Sequence, residues 1–518
     1  MWPAYGPGIR CRCADPIAYA NDQSWWLASL AYDGLVAYRR VGGAGGARLV
    51  ANLASEVPEP SADGRRYVFE LRRGVRFSNG APVRPEDFRH SLERFLRLDV
   101  DAPSSYFDGV VGARRCRAEP RSCDLSEGIE TDPEGGTITI HLRAPDAEFL
   151  HELTLPLASV VPAETPMRFA RGPLPGTGPY RIARFDPKRG GRLVRNRHFR
   201  PWSEEARPDG FADEIAIDVG GKIDAQLAAV RSGDADMVSL DDALFAGTLK
   251  PARIRQLAIQ YGGQLHSTPA LQVEYMLMNV RVPPFDDARA RQALNYAVDR
   301  HEVAQLAGGA EVARPTCQVL PPGFPGYRPR CRYTLNPNPA GTWTAPDLAT
   351  AKRLVLESGT RGSPVRVMIE RSQRPLGRYF ASLLRQLGYR SSLLVLPASA
   401  YFPASTEPPE RVSVLWGGWV TDYLAPSAFI HPLFSCASGF YQWCDRRIDA
   451  QANHALAQQR SDPAAANALW ASMDRRLADA AAAVPLFNRT YLTLVSNRVG
   501  NVQQHPLWGA LYDQLWVK

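Results

Sequence analysis

The sequence predicts an α/β protein with a parallel sheet in its second half. Three short apolar runs, 364–370, 391–396 and 412–418, have the length and composition of buried strands. An amphipathic segment, 375–389, separates the first two and contains Gly388 near its end, as helix C-termini commonly do. Strands that alternate with helices in this way are typical of parallel sheets with helices on both faces.

The first half mixes short strands with helices. Residues 67–73 alternate between apolar and polar side chains, and Asn79-Gly80 soon afterwards is a strong turn signal. The segment 85–96 begins with Pro85, has acids in its first turn, and therefore predicts a helix. Further strands are expected at 137–142, 179–185, 192–196, 213–219, 235–240 and 484–496, and further helices at 223–233, 446–459 and 463–483.

Length and composition are those of a globular protein with two or three domains. The chain has 518 residues, of which 45% are hydrophobic and 22% charged. No apolar run reaches the roughly 18 residues of a membrane-spanning helix. The net charge of +8 is modest, and basic residues interleave with acids, as in 72–94. This pattern is typical of solvated faces and argues against nucleic-acid binding.

Six of the eight cysteines fall into close pairs. The pairs are Cys116/Cys123, Cys317/Cys331 and Cys436/Cys444, with Cys11 and Cys13 left over. No CxxC motif is present and no histidine stands at zinc-ligand spacing, so a metal site is not expected. Short loops with a cysteine at each end favour disulfides in an oxidising compartment, although free buried thiols and other connectivities remain open.

No export signal is expected within this chain. Residues 1–16 lack a charged region followed by an apolar one. Either the true start lies upstream, or the chain is part of a longer polypeptide.

Catalytic motifs are also missing. The sequence contains no HExxH, no GxSxG, no GxGxxG after a strand and no SxxK, and its nine histidines are dispersed. We therefore expect a protein that is not an enzyme.

Five stretches resemble, in order, the peptide/nickel-type solute-binding proteins of ABC transporters, known as solute-binding protein family 5. They are 14–16 with 30–40, 67–95, 176–182, 291–300 and 416–429. The resemblance runs from residue 14 to the C-terminus and implies a periplasmic-binding-protein-like fold, in which two lobes enclose a ligand cleft. It implies three domains: domain I (1–40, 160–265 and 485–518), an additional α+β domain II (41–159), and domain III (266–484).

The resemblance implies an extracytoplasmic receptor, either periplasmic or at the cell surface. Such a receptor captures oligopeptides or peptide-like solutes when its lobes close, and delivers them to a membrane ABC permease. We expect a monomer that needs no cofactor. The alternative is a ligand-sensing domain of a larger regulatory polypeptide with the same fold.

Asp422 is the principal candidate site residue. It is the single carboxylate in the aromatic-rich stretch 414–434, where an ionised acid is costly unless a positive group meets it. The resemblance implies that Asp422 pairs with the α-ammonium of a ligand. Two alternatives are open: the acid caps the following helix, or it pairs with a base such as Arg446.

The resemblance also implies further cleft-lining residues. Gly417 and Gly418 lack Cβ atoms and would let a ligand backbone approach, although a bend at a strand end explains them as well. The other candidates are Trp419, Tyr423, Tyr106, Asn21 and Asp22.

Overall fold

The computed structural model describes residues 15–18, 22–98, 106–186, 188–245, 248–406, 408–409, 411–437 and 443–518. These residues form two compact units. The N-unit consists of 15–222, 422–424 and 497–518, and the C-unit of 223–421 and 425–496. The predicted boundaries at 265/266 and 484/485 both fall within the C-unit, and the division into three domains stays a prediction.

The N-unit contains short helices and small sheets. Its elements are α1 (Asp22–Ala31), β1 (Val36–Tyr38), β2 (Leu49–Ala51), β3 (Arg66–Glu70), α2 (Pro85–Arg97), α3 (Ala113–Ala118), β4 (Ile129–Asp132), β5 (Thr137–His141), α4 (Phe149–Glu152), β6 (Tyr180–Asp186), β7 (Gly190–Arg195) and β8 (Glu214–Ile217). Two three-stranded antiparallel sheets have the orders β3-β5-β4 and β6-β7-β8, and β1 pairs with β2.

Helix α2 forms where its sequence predicts it. Pro85 occupies the first turn, and the Asp87 carboxylate accepts a hydrogen bond from the backbone N–H of Arg84 at 2.7 Å. Phe88, Leu92 and other apolar side chains of one helix face are buried. Satisfied N-terminal donors and one apolar face together stabilise the helix against the unit's core.

The C-unit is built on one large sheet. Its elements are α5 (Ile223–Ser232), β9 (Met237–Ser239), α6 (Asp241–Phe245), α7 (Pro251–Gln260), β10 (Leu265–Met278), α8 (Ala288–Ala297), α9 (Arg300–Leu306), β11 (Ala313–Pro315), α10 (Leu348–Glu357), β12 (Pro364–Glu370), α11 (Arg374–Gln386), β13 (Arg390–Leu396), α12 (Ala398–Thr406), β14 (Val414–Val420), α13 (Ser427–Phe434), α14 (Arg446–Gln458), α15 (Pro463–Asp479) and β15 (Ala483–Val495). Four two-residue strands complete the N-unit: β16 (Val499–Gly500), β17 (Gln504–His505), β18 (Gly509–Ala510) and β19 (Trp516–Val517).

The large sheet is mixed, whereas the alternation of strands and helices predicts a parallel one. Its order is β11-β15-β10-β14-β12-β13, with β9 beside β15. Strand β12 runs parallel to β13 and β14, but β10 runs antiparallel to both β14 and β15. Strands β10 and β15 lie outside the alternating segment 364–418, so that pattern carried no information about their direction.

Apolar side chains from both strands and helices form the core of the C-unit. Tyr275 and Val367 on the sheet and Phe380 and Trp470 on helices are fully buried there. Helix α11 ends before Gly388, whose φ of +99° is a left-handed conformation that glycine adopts without strain.

Three disulfides join the cysteine pairs that the sequence predicts. Cys116–Cys123 lies in the N-unit, and Cys317–Cys331 and Cys436–Cys444 lie in the C-unit. Cys11 and Cys13 lie outside the described residues. No helix within the described ranges combines the length and the apolar character needed to cross a membrane.

Candidate functional site

The segment Asp422–Leu424 is a three-residue part of the N-unit, flanked on both sides by chain that belongs to the C-unit. Three hydrogen bonds hold it. They run from the Tyr106 hydroxyl to Asp422 Oδ2 (2.6 Å), from the Tyr423 hydroxyl to Glu148 Oε2 (3.1 Å), and from the Leu424 backbone N–H to the Tyr38 hydroxyl oxygen (2.9 Å). Side chains from three separate parts of the N-unit therefore fix these residues.

The contact between Tyr106 and Asp422 joins two predicted site residues that are 316 positions apart. Tyr106 is buried, and its pKa lies well above the usual value because of burial and the negative charge of Asp422. Its phenol therefore stays protonated and donates to the carboxylate. Arg117 holds the Tyr106 carbonyl oxygen at 2.6 Å and also pairs with Asp108. The tyrosine is positioned from both its backbone and its ring.

The Tyr38 hydroxyl links the segment to His151. Its oxygen accepts the Leu424 N–H at 2.9 Å and also lies 2.7 Å from His151 Nδ1, within hydrogen-bond distance. Burial lowers the pKa of His151 to about 4, so the imidazole is neutral near pH 7. The ring also stacks on Tyr423, with the two centroids 6.2 Å apart.

This histidine makes stability depend on pH. In the unfolded chain His151 takes up a proton below its usual pKa of 6.5, whereas in the folded chain it does so only near 4. Its contribution is therefore fully present above pH 6.5 and is lost as the pH falls towards 4. We expect wild type to lose about 3 kcal/mol of unfolding free energy over this range through this residue.

Urea denaturation at a series of pH values, with His151→Asn as the comparison, checks this. The Asn amide can still form a hydrogen bond with Tyr38, as donor or acceptor, but does not titrate. Other groups, such as His505 and Asp474 with pKa values near 3 and 6, titrate in both proteins and cancel in the difference. Parallel pH profiles for the two proteins would contradict the assignment.

Buried acids surround the segment without forming a metal site. Glu152 has a pKa well above its usual value because of burial and the nearby negative charge of Asp146, and it accepts the Phe107 N–H at 3.0 Å. Among the residues that the structure describes, no three His, Cys, Asp or Glu side chains are placed to hold a metal ion. These acids act as hydrogen-bond acceptors for tyrosine and backbone donors.

Gly417, Gly418 and Trp419 lie on β14 in the C-unit. The strand continues to Val420, so the two glycines are inside the strand and not at a bend that ends it. Both glycines are partly exposed. The Trp419 indole N–H donates to the Ala428 carbonyl oxygen at 2.6 Å, which fixes the ring against its own unit.

Gly418 makes room for a buried carboxylate. It lies opposite Glu274 on β10, and a Cβ at position 418 would stand 2.7 Å from Glu274 Oε2. The other oxygen, Oε1, accepts hydrogen bonds from Gln272 Nε2 (2.8 Å) and Arg489 Nη2 (3.0 Å). The Oε2 atom is buried and has no hydrogen-bond partner within the described part of the chain.

The sequence analysis did not identify the ion pair of Glu274 and Arg489. A signal was available, because each is the single charge in an apolar strand, 271–278 and 484–494 respectively. The same reasoning that singled out Asp422 applies to both.

The helix-cap alternative for Asp422 and the candidates Asn21 and Asp22 remain to be compared with the structure. The helix after Asp422 begins at Ser427 with Pro426 at its N-cap position, so Asp422 is not the N-cap residue. Asp22 is the first residue of α1, and the structure does not describe its side chain. Asn21 lies outside the described residues.

Two α/β units connected by several chain crossings, with an anchored acid in the segment 422–424, are typical of a solute-binding protein. The sequence profile of the "Bacterial extracellular solute-binding proteins, family 5 Middle" matches residues 48–441. The chain belongs to this family.

The chain is also similar to proteins described as peptide-binding. The chain is 24% identical to the dipeptide-binding protein of Escherichia coli strain K12, over 74% of this chain and 71% of that one. It is 25% identical to the probable di/tripeptide-binding protein 5 of Pseudomonas aeruginosa strain UCBPP-PA14, over 92% and 88%. The solved structure of the clavulanic acid biosynthesis oligopeptide binding protein 2 has the same fold, with a TM-score of 0.85, 23% identity, and coverage of 97% and 93%.

Proposed function

We propose that this protein is the solute-binding receptor of an ABC importer and that it captures oligopeptides or peptide-like solutes through their α-ammonium group. Asp422 provides the carboxylate for that ammonium. The hydrogen bond from Tyr106 to Asp422, at 2.6 Å, is the observation that carries the proposal. The names of the relatives, which include dipeptide- and di/tripeptide-binding proteins, support a peptide as ligand.

The chemistry of the pair suits an ammonium ligand. A protonated phenol that donates to the carboxylate stabilises its ionised form and fixes the direction of its oxygens. A ligand ammonium that meets this carboxylate in a partly desolvated site forms a charge-assisted hydrogen bond, which is stronger than the same contact in water. Because the ammonium leaves with the ligand, the interaction is reversible, as transport requires.

The remaining parts of the proposal follow from membership of the family. The two units close on the ligand, the loaded receptor docks on a membrane permease, and the protein works outside the cytoplasm as a monomer. The three disulfides are consistent with an oxidising compartment.

A matched pair of peptides tests the ligand class. We expect isothermal titration to show binding of di- to tetrapeptides with a free α-amino group, and binding at least about tenfold weaker for the same peptides after N-acetylation. Native mass spectrometry of the purified protein would identify any ligand that it retains. Equal affinity for the free and acetylated forms would contradict the ammonium role, and no binding of either would contradict peptide capture.

A further inference from the structure

A groove on the N-unit is lined by three arginines. Its volume is about 450 Å³, and Arg181, Arg195 and Arg197 line it together with Ser78 and Asn79. The segment 173–175, Pro-Leu-Pro, forms an apolar wall. The groove borders the antiparallel sheet β6-β7-β8 and the Asn79-Gly80 turn.

Two of the three guanidinium groups have no carboxylate partner within the described part of the chain. Arg195 pairs with Asp209 at 2.6 Å and lies over the Tyr180 ring. The Arg197 side chain makes one hydrogen bond, from Nε to His198 Nε2 at 3.1 Å. The Arg181 side chain makes no hydrogen bond or ion pair with another described residue. The groove therefore carries positive charge that the surrounding described residues do not neutralise.

The position of Arg197 is built into the fold. Its partner His198 lies against the Asn79-Gly80 turn, since a Cβ on Gly80 would stand 3.2 Å from the imidazole. The His198 backbone N–H donates to Asn196 Oδ1 at 3.0 Å, and the buried Asn196 amide donates to the Gly178 carbonyl oxygen at 2.9 Å. Because His198 takes only the Nε proton, the terminal nitrogens of Arg197 are available to a ligand.

The hairpin formed by β6 and β7, which contributes Arg181 and Arg195 to the groove, adds further positive charge around it. Residues 180–200 include eight arginines and lysines but a single acid, Asp186. Among the hairpin cations, Arg192 pairs with Glu214, whereas Arg184 and Arg189 are exposed. Exposed charges in such a run are often only solvated, but here three of the arginines line one concave site beside hydroxyl and amide side chains.

We propose that this groove binds the phosphate group of an anionic ligand. Planar guanidinium groups match phosphate oxygens with paired N–H donors, and Ser78 and Asn79 add neutral donors. A volume of about 450 Å³ is in the range of small-molecule sites and exceeds what a single phosphate needs. The ligand therefore carries its phosphate on a larger body, which is either an anionic phospholipid headgroup or a soluble organic phosphate.

The test uses the full chain and two charge-matched variants. Arg181→Gln with Arg197→Gln removes the two groove arginines that lack a carboxylate partner, while Arg184→Gln with Arg189→Gln removes two cations from the same hairpin outside the groove. Both lower the net charge from +8 to +6. All the replaced side chains are exposed, so melting temperatures should confirm that both variants fold.

Two binding measurements distinguish the sources of the phosphate. One is flotation with vesicles of phosphatidylcholine and phosphatidylglycerol in equal parts, against phosphatidylcholine alone; the other is titration with glycerol 3-phosphate. We expect binding in one of the two, about tenfold or more weaker in the groove variant and nearly unchanged in the hairpin variant. The measurement that shows this loss identifies the source.

Two results would overturn the proposal. If both variants lost affinity equally, the ligand would be attracted to the overall charge of the hairpin and not to the groove. If neither vesicles nor glycerol 3-phosphate bound, the groove arginines would be solvated and would have no ligand. Neither result bears on Asp422 and peptide capture, because different residues carry that function.

Discussion

Asp422→Asn should weaken the binding of a peptide with a free α-amino group by roughly 2–4 kcal/mol, a loss of more than tenfold in affinity. The substitution keeps the size of the side chain and its ability to accept the Tyr106 hydrogen bond, but removes the charge. An ammonium that enters a partly desolvated site then lacks its counter-charge. Isothermal titration with a free peptide and its N-acetylated form measures the effect.

The acetylated peptide provides the internal comparison. Because it has no ammonium, its affinity should change little between wild type and Asp422→Asn. Tyr106→Phe provides the second comparison, since it keeps the ring and the charge of Asp422 but removes the phenol donor at 2.6 Å. We expect a smaller loss, about tenfold, from less accurate placement of the carboxylate. If both peptides lose affinity equally in Asp422→Asn, the acid has a structural role and the ammonium assignment is wrong.

Gly418→Ala should lower the free energy of unfolding by roughly 2–4 kcal/mol, a large effect for one methyl group. The new Cβ would stand 2.7 Å from Glu274 Oε2, so the carboxylate must move. The carboxylate is bound to Arg489 at 3.0 Å, and both side chains are almost fully buried. Movement therefore strains or breaks a buried ion pair. Denaturant unfolding, followed by circular dichroism, measures the loss.

Gly417→Ala is the matched control in the same strand. Its Cβ would meet the Leu277 Cδ1 atom at 3.0 Å, which is the end of a flexible side chain that can turn away. We expect a cost of about 1 kcal/mol there. In a Glu274→Ala background the clash is absent, so Gly418→Ala should become nearly neutral. The same cost in both backgrounds would show that the glycine serves the strand itself and not the carboxylate.

Elements encoded by local patterns were predictable to within a few residues. The helix predicted at 85–96 is α2, Pro85–Arg97, and the strand predicted at 364–370 is β12, Pro364–Glu370. In both, residues within one short segment carry the signal: a Pro and acids at the helix start, or an apolar run of strand length. The antiparallel direction of β10 and β15 was not predictable in this way, since it depends on how distant segments meet.

The candidate site was likewise predictable only in part: the sequence indicated single residues but not their contacts. Resemblance to family 5 named Asp422 and Tyr106 separately, but a hydrogen bond between residues 316 positions apart leaves no periodicity in the sequence. In the sequence, Glu274 is a single acid and Gly418 a single glycine, and neither residue by itself indicates that the two are neighbours. Their relation arises from the register between β10 and β14, which side-chain alternation within either strand does not specify.

The sequence by itself determined the family, the local helices and strands, and the cysteine pairs, because each of these is recorded in residues close together or in ordered motifs. Tertiary structure alone decided that Tyr106 holds Asp422, that Gly418 accommodates Glu274, and that arginines on β6 and β7 and in the loop after β7 line one groove. The physical reason is that burial, charge pairing and steric exclusion act between atoms in contact, and the folded chain brings those atoms together from distant positions.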